Sequence, residues 1–224
     1  MVVRVGVVLG GCGFKDGAEV HESVLALLAL DRAGAEVHCF APDIPQAQVV
    51  NHLTGKPEAG PRNVLVESAR IARGAIRDVA QADPARLDAL VLPGGFGAAL
   101  NLSSFATQGE KAHVEPGTAR LVRAMHAAGK PIGAICIAPA VIALLLGQEH
   151  PTLTIGTDRG TAARLEACGA RHQDCPVEGF VVDRERRIVT TPAYMLGPSI
   201  RHVAAGIEQC VAAVLELART PARA

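Results

Sequence analysis

In the middle of this chain a short buried strand runs directly into an apolar helix. Residues 131–135 read PIGAI, typical of a strand covered on both faces, and a second apolar run follows with Pro139 near its start. Proline favours the first turn of a helix, where its missing N–H is not needed. Cys136, the polar residue between the two runs, therefore lies at a strand-to-helix junction, the position that a nucleophile occupies in an elbow.

The position of Cys136 supports two interpretations. Free backbone N–H groups and the positive end of the helix dipole favour thiolate over thiol, which predicts a lowered pKa and a reactive nucleophile. Alternatively, Cys136 is a structural cysteine of a core strand, since free cysteine is often buried. The junction alone leaves both interpretations open.

Strands alternate with helices along the whole chain, which predicts an α/β sandwich built on a mainly parallel sheet. Residues 41–62 interrupt this pattern, and we expect them to form an ordered excursion over the surface. The hydrophobic pattern predicts strands at 2–9, 35–40, 76–79 (at an edge), 87–92, 131–135 and 152–155, a hairpin at 180–183 and 187–190, and helices at 20–32, 63–73, 121–129, 161–168 and 200–214.

Two predicted strands end in glycine-rich turns, GGCG at 10–13 and PGGFG at 93–97. The first is not a dinucleotide-binding fingerprint, because Asp16 stands where the third glycine should be, and no Gly-Lys-Ser/Thr follows it. The free N–H groups of the second turn could form an oxyanion hole. The alternative is a simple tight turn, which would require one glycine but does not explain why there are three. Functional sites lie at the carboxyl ends of such strands, so Cys12, Gly94 and Phe96 are candidate pocket residues beside Cys136.

The helix predicted at 20–32 carries a glutamate within one of its apolar stripes. Glu22 lies on the same side as Leu25 and Ala29, while a second stripe consists of Val20, Val24, Leu27 and Leu28. A carboxyl group among apolar neighbours should have a raised pKa. The simpler interpretation is a first-turn glutamate that the helix dipole stabilises.

Length and composition limit the classes of protein to consider. The 224 residues contain no repeat and no evident linker, so we expect a single domain over residues 1–224. The net charge is zero, which argues against nucleic acid as a partner and favours a small molecule or a second copy of the chain. We find no signal-peptide pattern, no apolar run of transmembrane length and no cysteine spacing suited to metal. A cytoplasmic location without membrane or metal is the resulting expectation.

Several motifs together resemble one known family, the ElbB-like branch of the PfpI/class I glutamine amidotransferase-like superfamily. The resemblance implies a flavodoxin-like three-layer sandwich, no cofactor and a homodimer. By position, it implies that Cys136 is the nucleophile, that Glu22 touches its sulfur, and that the N–H groups of Gly95 and Ile137 bind an oxyanion. The matching segments read GCGFKDGAEVHE, APD…NHLTG, RNVLVESARI, LVLPGGFGAALNLSSFA, AICIAP, LTIGTD and VTTPAYM.

The chain departs from the superfamily in its histidines. Ile137 follows the cysteine where protease-like members have a histidine base, and the His-x-Glu of glutaminase members is missing. His150, His172 and His202 match no family motif. Proteolysis and glutamine hydrolysis therefore lose support.

The resemblance instead implies a glutathione-independent glyoxalase that converts methylglyoxal to lactate and glyoxal to glycolate. The second hypothesis is a redox-sensing or protective protein with incidental aldehyde activity, in which Cys12 resolves oxidised Cys136 as a disulfide. A scaffold or chaperone-like dimer with a vestigial site is the third.

Overall fold

The computed structural model of the protein describes residues 2–220, and the predicted order of strands and helices is largely present in it. The strands are β1 (Arg4–Val8), β2 (Glu36–Ala41), β3 (Ile76–Asp78), β4 (Ala89–Leu92), β5 (Ile132–Ile135), β6 (Thr152–Leu153), β7 (Arg171–His172), β8 (Val181–Asp183) and β9 (Ile188–Thr191). The α-helices are α1 (Val20–Arg32), α2 (Val64–Ile71), α3 (Phe96–Leu100), α4 (Phe105–Gln108), α5 (Pro116–Ala127), α6 (Pro139–Leu146), α7 (Arg159–Ala167) and α8 (Ile200–Arg219).

Seven of these strands form one sheet in the order β3-β2-β1-β4-β5-β9-β8. All neighbouring strands are parallel except β8, which pairs antiparallel with β9 as the predicted hairpin requires. β3 lies at an edge, also as predicted. The chain runs outward from β1 to β2 and later from β4 to β5, so the carboxyl ends of β1 and β4 form a crevice where α/β proteins bind ligands.

Aliphatic side chains cover both faces of the sheet and make three layers. One face packs against α1, α2 and α8 through residues such as Leu30, Val64 and Val211. The other packs against α4, α5, α6 and α7 through residues such as Met125 and Ile142. The predicted α/β, flavodoxin-like sandwich with a mainly parallel sheet is thus confirmed.

Helix α1 faces the core with the stripe that contains Glu22. Glu22 and Ala26 are buried, while Val20, Val24 and Leu28 are exposed. Helix α8 packs along α1, and the side of α1 with small residues faces the core. The composition of the larger apolar stripe suggests that this stripe is the core face, but the structure shows that it is not.

Several segments differ from the sequence prediction. The strand predicted at 152–155 is the two-residue β6, which pairs with β7 in a separate small sheet. The place beside β5 is occupied by β9, whose four residues are all buried. The short helices α3 and α4 were not predicted, because five and four residues are too few to show a helical period.

Within residues 2–220, no helix combines the length and the hydropathy needed to cross a bilayer.

Candidate active site

Cys136 lies in a tight turn between β5 and α6 and has the geometry of a nucleophile elbow. Its φ angle is 62°, a left-handed backbone conformation that residues other than glycine rarely adopt. Hydrogen bonds hold the turn: the N–H of Cys136 donates to Thr191 O (2.9 Å) and that of Ala138 to Ile135 O (3.0 Å). Helix α6 then begins at Pro139, as predicted. Such strain is characteristic of functional sites.

Glu22 is completely buried beside Cys136. The N–H of Gly94 donates to Glu22 Oε2 at 3.0 Å, and the N–H of Tyr194 donates to Oε1 at 3.1 Å. Burial, followed by the negative charge of Glu19, raises the pKa of Glu22 to about 8, although both N–H groups and the Cys136 side chain act in the opposite direction. The raised pKa expected from the apolar helix face is thus confirmed.

The lowered pKa expected for Cys136 is wrong. The residue is only 6% exposed, and burial together with the nearby Glu22 carboxylate raises the pKa of the thiol well above its usual range. The N–H groups of Gly95 and Ile137 favour the thiolate but do not outweigh these two effects. The sequence revealed the donors around the sulfur but not the depth at which it is buried.

Glu22 and Cys136 therefore titrate as a unit. In neutral solution the carboxyl is largely protonated and the thiol keeps its proton. The first proton leaves the pair near pH 8 and comes from Glu22, and transfer of the thiol proton to the resulting carboxylate gives the carboxyl–thiolate form.

Gly95 and Ile137 present N–H groups beside the sulfur. Within residues 2–220 neither donates to a backbone or side-chain oxygen, whereas the N–H groups of Phe96 and Gly97 donate to Phe14 O and Gly17 O, both at 2.8 Å. The φ of +81° at Gly95 gives the turn after β4 this orientation. Two free donors beside a nucleophile are suited to a developing oxyanion.

A cavity of about 290 Å³ opens onto these groups. Four of the residues predicted from the sequence line it: Cys136, Ile137, Gly95 and Phe96. The remaining lining residues are Phe14, Glu19, Ala99, Phe105, Ala106, Thr161, Arg164, Tyr194 and Met195. The lining is mostly apolar, as in small-molecule sites generally.

Other candidate residues lie away from this cavity. Cys12 does not line it, and burial and the charge of Glu67 raise the pKa of its thiol. His150 contacts Gly169 O, His172 is buried near Asp174, and His202 pairs with Ser199. Gly94 lies behind the cavity, between Glu22 and Cys136.

Tyr194 was missed by the sequence analysis. It follows β9, whose carboxyl end lies beside that of β5, and its hydroxyl is 2.7 Å from His21 Nδ1. Polar residues that follow buried strands are candidates for such a site, but the sequence pattern predicts β9 as part of a hairpin and not as a strand of the sheet interior. Glu19 and Arg164 carried no sequence signal that distinguishes them from surface charges.

No group of three or more His, Cys, Asp or Glu side chains suited to a metal ion occurs among the residues that the structure describes.

A flavodoxin-like sheet with a cysteine elbow, a buried carboxyl partner and two free N–H donors defines the class of this protein. Residues 12–191, which include all of these groups, match the DJ-1/PfpI family, and the chain belongs to that family.

Several known proteins are similar in sequence to this chain over nearly its whole length. The rat "ES1 protein homolog, mitochondrial" and the human "Glutamine amidotransferase-like class 1 domain-containing protein 3, mitochondrial" are each 46% identical over 96% of this chain, which spans 84% and 83% of their lengths. The crystal structure of an isoprenoid biosynthesis protein with amidotransferase-like domain from Ehrlichia chaffeensis is 39% identical, has a TM-score of 0.90, and covers 96% of this chain and 99% of its own. The resemblance to the ElbB-like branch is confirmed.

The expected cytoplasmic location is contradicted by the same relatives, because the rat and human proteins are both named as mitochondrial. The expectation rested on the missing signal-peptide pattern and on cysteines without pairing motifs. Those features are compatible with any reducing compartment and do not identify which one.

Replacing Gly94 with alanine should damage the site directly. An added Cβ would lie 2.4 Å from Cys136 Cβ and 2.7 Å from Glu22 Oε2, so the elbow or the carboxyl must move. We expect a loss of about 1–3 kcal/mol in the free energy of unfolding, measured by urea denaturation. Gly160→Ala is the control, since its Cβ would meet only Asp158 Oδ1 at 3.6 Å. Equal stability of the two variants would contradict the packing described here.

The stability of the protein should fall as pH rises from about 4.5 to 8. The pKa of Glu22 is raised from 4.5 to about 8, so over this interval the folded chain keeps a proton that the unfolded chain has released. The stabilising contribution is complete below pH 4.5 and lost as pH passes 8, with a total of about 5 kcal/mol relative to Glu22→Gln. Urea denaturation of both proteins at several pH values measures this difference, and parallel pH curves would show that the carboxyl is not buried as a neutral group.

Proposed function

We propose that the protein is a cofactor-independent glyoxalase that converts 2-oxoaldehydes to 2-hydroxy acids through Cys136. The observation that carries the proposal is the pairing of a buried Cys136 thiol with a carboxyl whose pKa is about 8, beside two free N–H groups. The reaction needs a nucleophile, an oxyanion site and a base able to move a proton between carbons. Cys136 and the N–H groups of Gly95 and Ile137 line the cavity, and the buried Glu22 carboxyl lies directly behind Cys136 as the base.

In the first step the sulfur adds to the aldehyde carbon. The singly protonated pair reacts as thiolate and carboxylic acid, a C–S bond forms, and the carbonyl oxygen gains the electron pair. The N–H groups of Gly95 and Ile137 stabilise that oxyanion until Glu22 gives it a proton. The products are a hemithioacetal and a Glu22 carboxylate.

In the second step Glu22 moves a proton between neighbouring carbons. The carboxylate removes the hydrogen of the former aldehyde carbon, which gives an enediol, and returns it to the adjacent carbon. The hydroxyl proton of the former aldehyde carbon passes to the former ketone oxygen, and a thioester of the 2-hydroxy acid results. A base with a pKa near the working pH is the most effective for such transfers.

In the last step water attacks the thioester carbon and the C–S bond breaks. The sulfur recovers its proton and the hydroxy acid leaves, so the net reaction is addition of one water molecule. No histidine lines the cavity within residues 2–220, so Glu22 is the proposed acid–base group at every step.

The redox hypothesis has weaker support at this site. It requires an accessible thiolate and a resolving cysteine, yet Cys136 is 6% exposed with a raised pKa, and Cys12 does not line the cavity. We therefore prefer the aldehyde reaction, in which the substrate enters the cavity and is attacked there.

The direct test is a chiral lactate assay on the purified protein with methylglyoxal as the only substrate. Sustained formation of one lactate enantiomer, over many turnovers and without glutathione, is the expected result. Formation of racemic lactate at the rate of the buffer alone would refute the proposal.

A further inference from the structure

Arg164, which is distant from Cys136 in the sequence, contributes a positive charge to the cavity. Of the residues that line the cavity, all within the described range 2–220, Glu19 is the only acidic residue and Arg164 the only basic one. Glu19 is already engaged, because its Oε2 accepts a hydrogen bond of 2.6 Å from the N–H of Glu22 at the start of α1. Arg164 lies on α7, one turn after Thr161, which also lines the cavity.

The guanidinium of Arg164 is held in a defined position. Its Nη2 donates to Phe105 O at 2.5 Å, and its central carbon stacks 4.5 Å from the centroid of the Phe105 ring. A stacked arginine with one anchored nitrogen loses little further freedom when it binds a ligand, and its remaining N–H groups can serve a planar or tetrahedral anion.

Arg164 has no ion pair with any residue in the described part of the chain. Arg159, at the start of the same helix, is more exposed and still pairs with Asp174 at 3.5 Å. An uncompensated arginine in a mostly apolar cavity is an unusual arrangement, because a cation gains most from a partner where water is scarce.

We propose that Arg164 forms a subsite for a small anionic group, so that the preferred substrate is a short 2-oxoaldehyde ending in a carboxylate or phosphate. The neighbouring Thr161 lines the cavity, but its hydroxyl and N–H donate to Asp158. This inference rests on the proposed function for the aldehyde end of the molecule. The cavity volume of about 290 Å³ suits a compound of this size, with its aldehyde at Cys136 and its anionic end at Arg164. The Glu19 carboxylate lies beside Glu22 and Gly95, so it repels an anion from the cysteine side of the cavity and favours this orientation.

Turnover of two aldehydes of equal length tests the subsite. The anionic substrate is 4,5-dioxopentanoate and the neutral one is 2-oxopentanal. The wild type should have a higher kcat/KM for the anion, and Arg164→Gln should reduce the ratio of the two values by about 10- to 100-fold, as expected for hydrogen bonds to a charged group. Arg164→Lys should recover part of the loss.

Arg159→Gln is the matched control. It removes the same charge from the same helix but does not line the cavity, so it should leave the ratio unchanged. An equal ratio in wild type and Arg164→Gln, with both folded by circular dichroism, would overturn the subsite while leaving the glyoxalase proposal intact.

A second readout does not depend on turnover. Succinate or inorganic phosphate, each added alone, should slow alkylation of Cys136 by iodoacetamide in the wild type but not in Arg164→Gln, and neutral succinamide should have little effect in either. Protection by succinate alone identifies a carboxylate subsite, and protection by phosphate alone identifies a phosphate subsite. If this protection is found but no aldehyde is turned over, the subsite stands and the proposed function fails. Equal protection of both proteins, or none, overturns the subsite.

Discussion

Replacing Cys136 with serine is expected to abolish hydroxy-acid formation while leaving the fold intact. Serine is nearly the same size and can keep the elbow, but its hydroxyl is a far weaker nucleophile, and a buried carboxyl with a pKa of about 8 cannot ionise it. Loss of a nucleophile typically costs about 10⁴-fold or more in turnover. The chiral lactate assay measures the loss, and far-ultraviolet circular dichroism verifies the fold.

Cys12→Ser is the control for this variant. Cys12 is a free cysteine outside the cavity, so turnover should stay within about twofold of the wild type under the glyoxalase mechanism. Retained turnover in Cys136→Ser would mean that another group performs the chemistry. Loss of activity in Cys12→Ser would instead favour a mechanism that uses both cysteines.

Replacing Glu22 with glutamine should be nearly as damaging. The amide resembles the protonated carboxyl in shape but can neither accept nor return a proton, so we expect kcat to fall by about 10² to 10⁴. KM should change less, because proton transfer is an interaction of the transition state. In the wild type, activity should rise with an apparent pKa near 8, because the reactive pair has lost one proton. In Glu22→Gln this rise should disappear.

Glu19→Gln is the matched control, since it changes the neighbouring carboxylate, which accepts a hydrogen bond from the N–H of Glu22 and lines the cavity. The charge of Glu19 raises the pKa of Glu22, so its removal should shift the activity profile to lower pH while preserving the base. Activity of Glu22→Gln within about twofold of the wild type would reduce Glu22 to a buried residue at the start of α1. An unshifted profile in Glu19→Gln would show that the profile reports a different group.

The fold and the central part of the site could be predicted because each depends on local pattern. Cys136 lies between two apolar runs, and the glycines at 94–95 follow a buried strand, so the carboxyl-end rule places both at one edge of the sheet. Glu22 stood out because a carboxyl group among apolar residues is costly unless something compensates for it.

The remainder of the site depends on distances that the sequence does not contain. Which strand lies beside β5 decides that Tyr194 reaches Glu22, and the packing of α7 decides that Arg164 reaches the cavity. The direction of the Cys136 pKa shift also depends on burial, which competes with the local donors and outweighs them. The sequence pattern identified the N–H donors near Cys136, but only the folded structure shows that burial has the larger effect on the pKa of its thiol.

The distribution of the site along the chain links its chemistry to the order of folding. Glu22, the glycines at 94–95, Cys136 and Tyr194 come from four segments that meet only after β1, β4, β5 and β9 have joined. Contacts so distant in sequence form slowly, because the loops between them must close first. A nascent or partly folded chain therefore has an ordinary thiol and an ordinary carboxyl, and reactivity towards aldehydes arises only at the end of folding. Assays of turnover during refolding should consequently lag behind the recovery of helical signal.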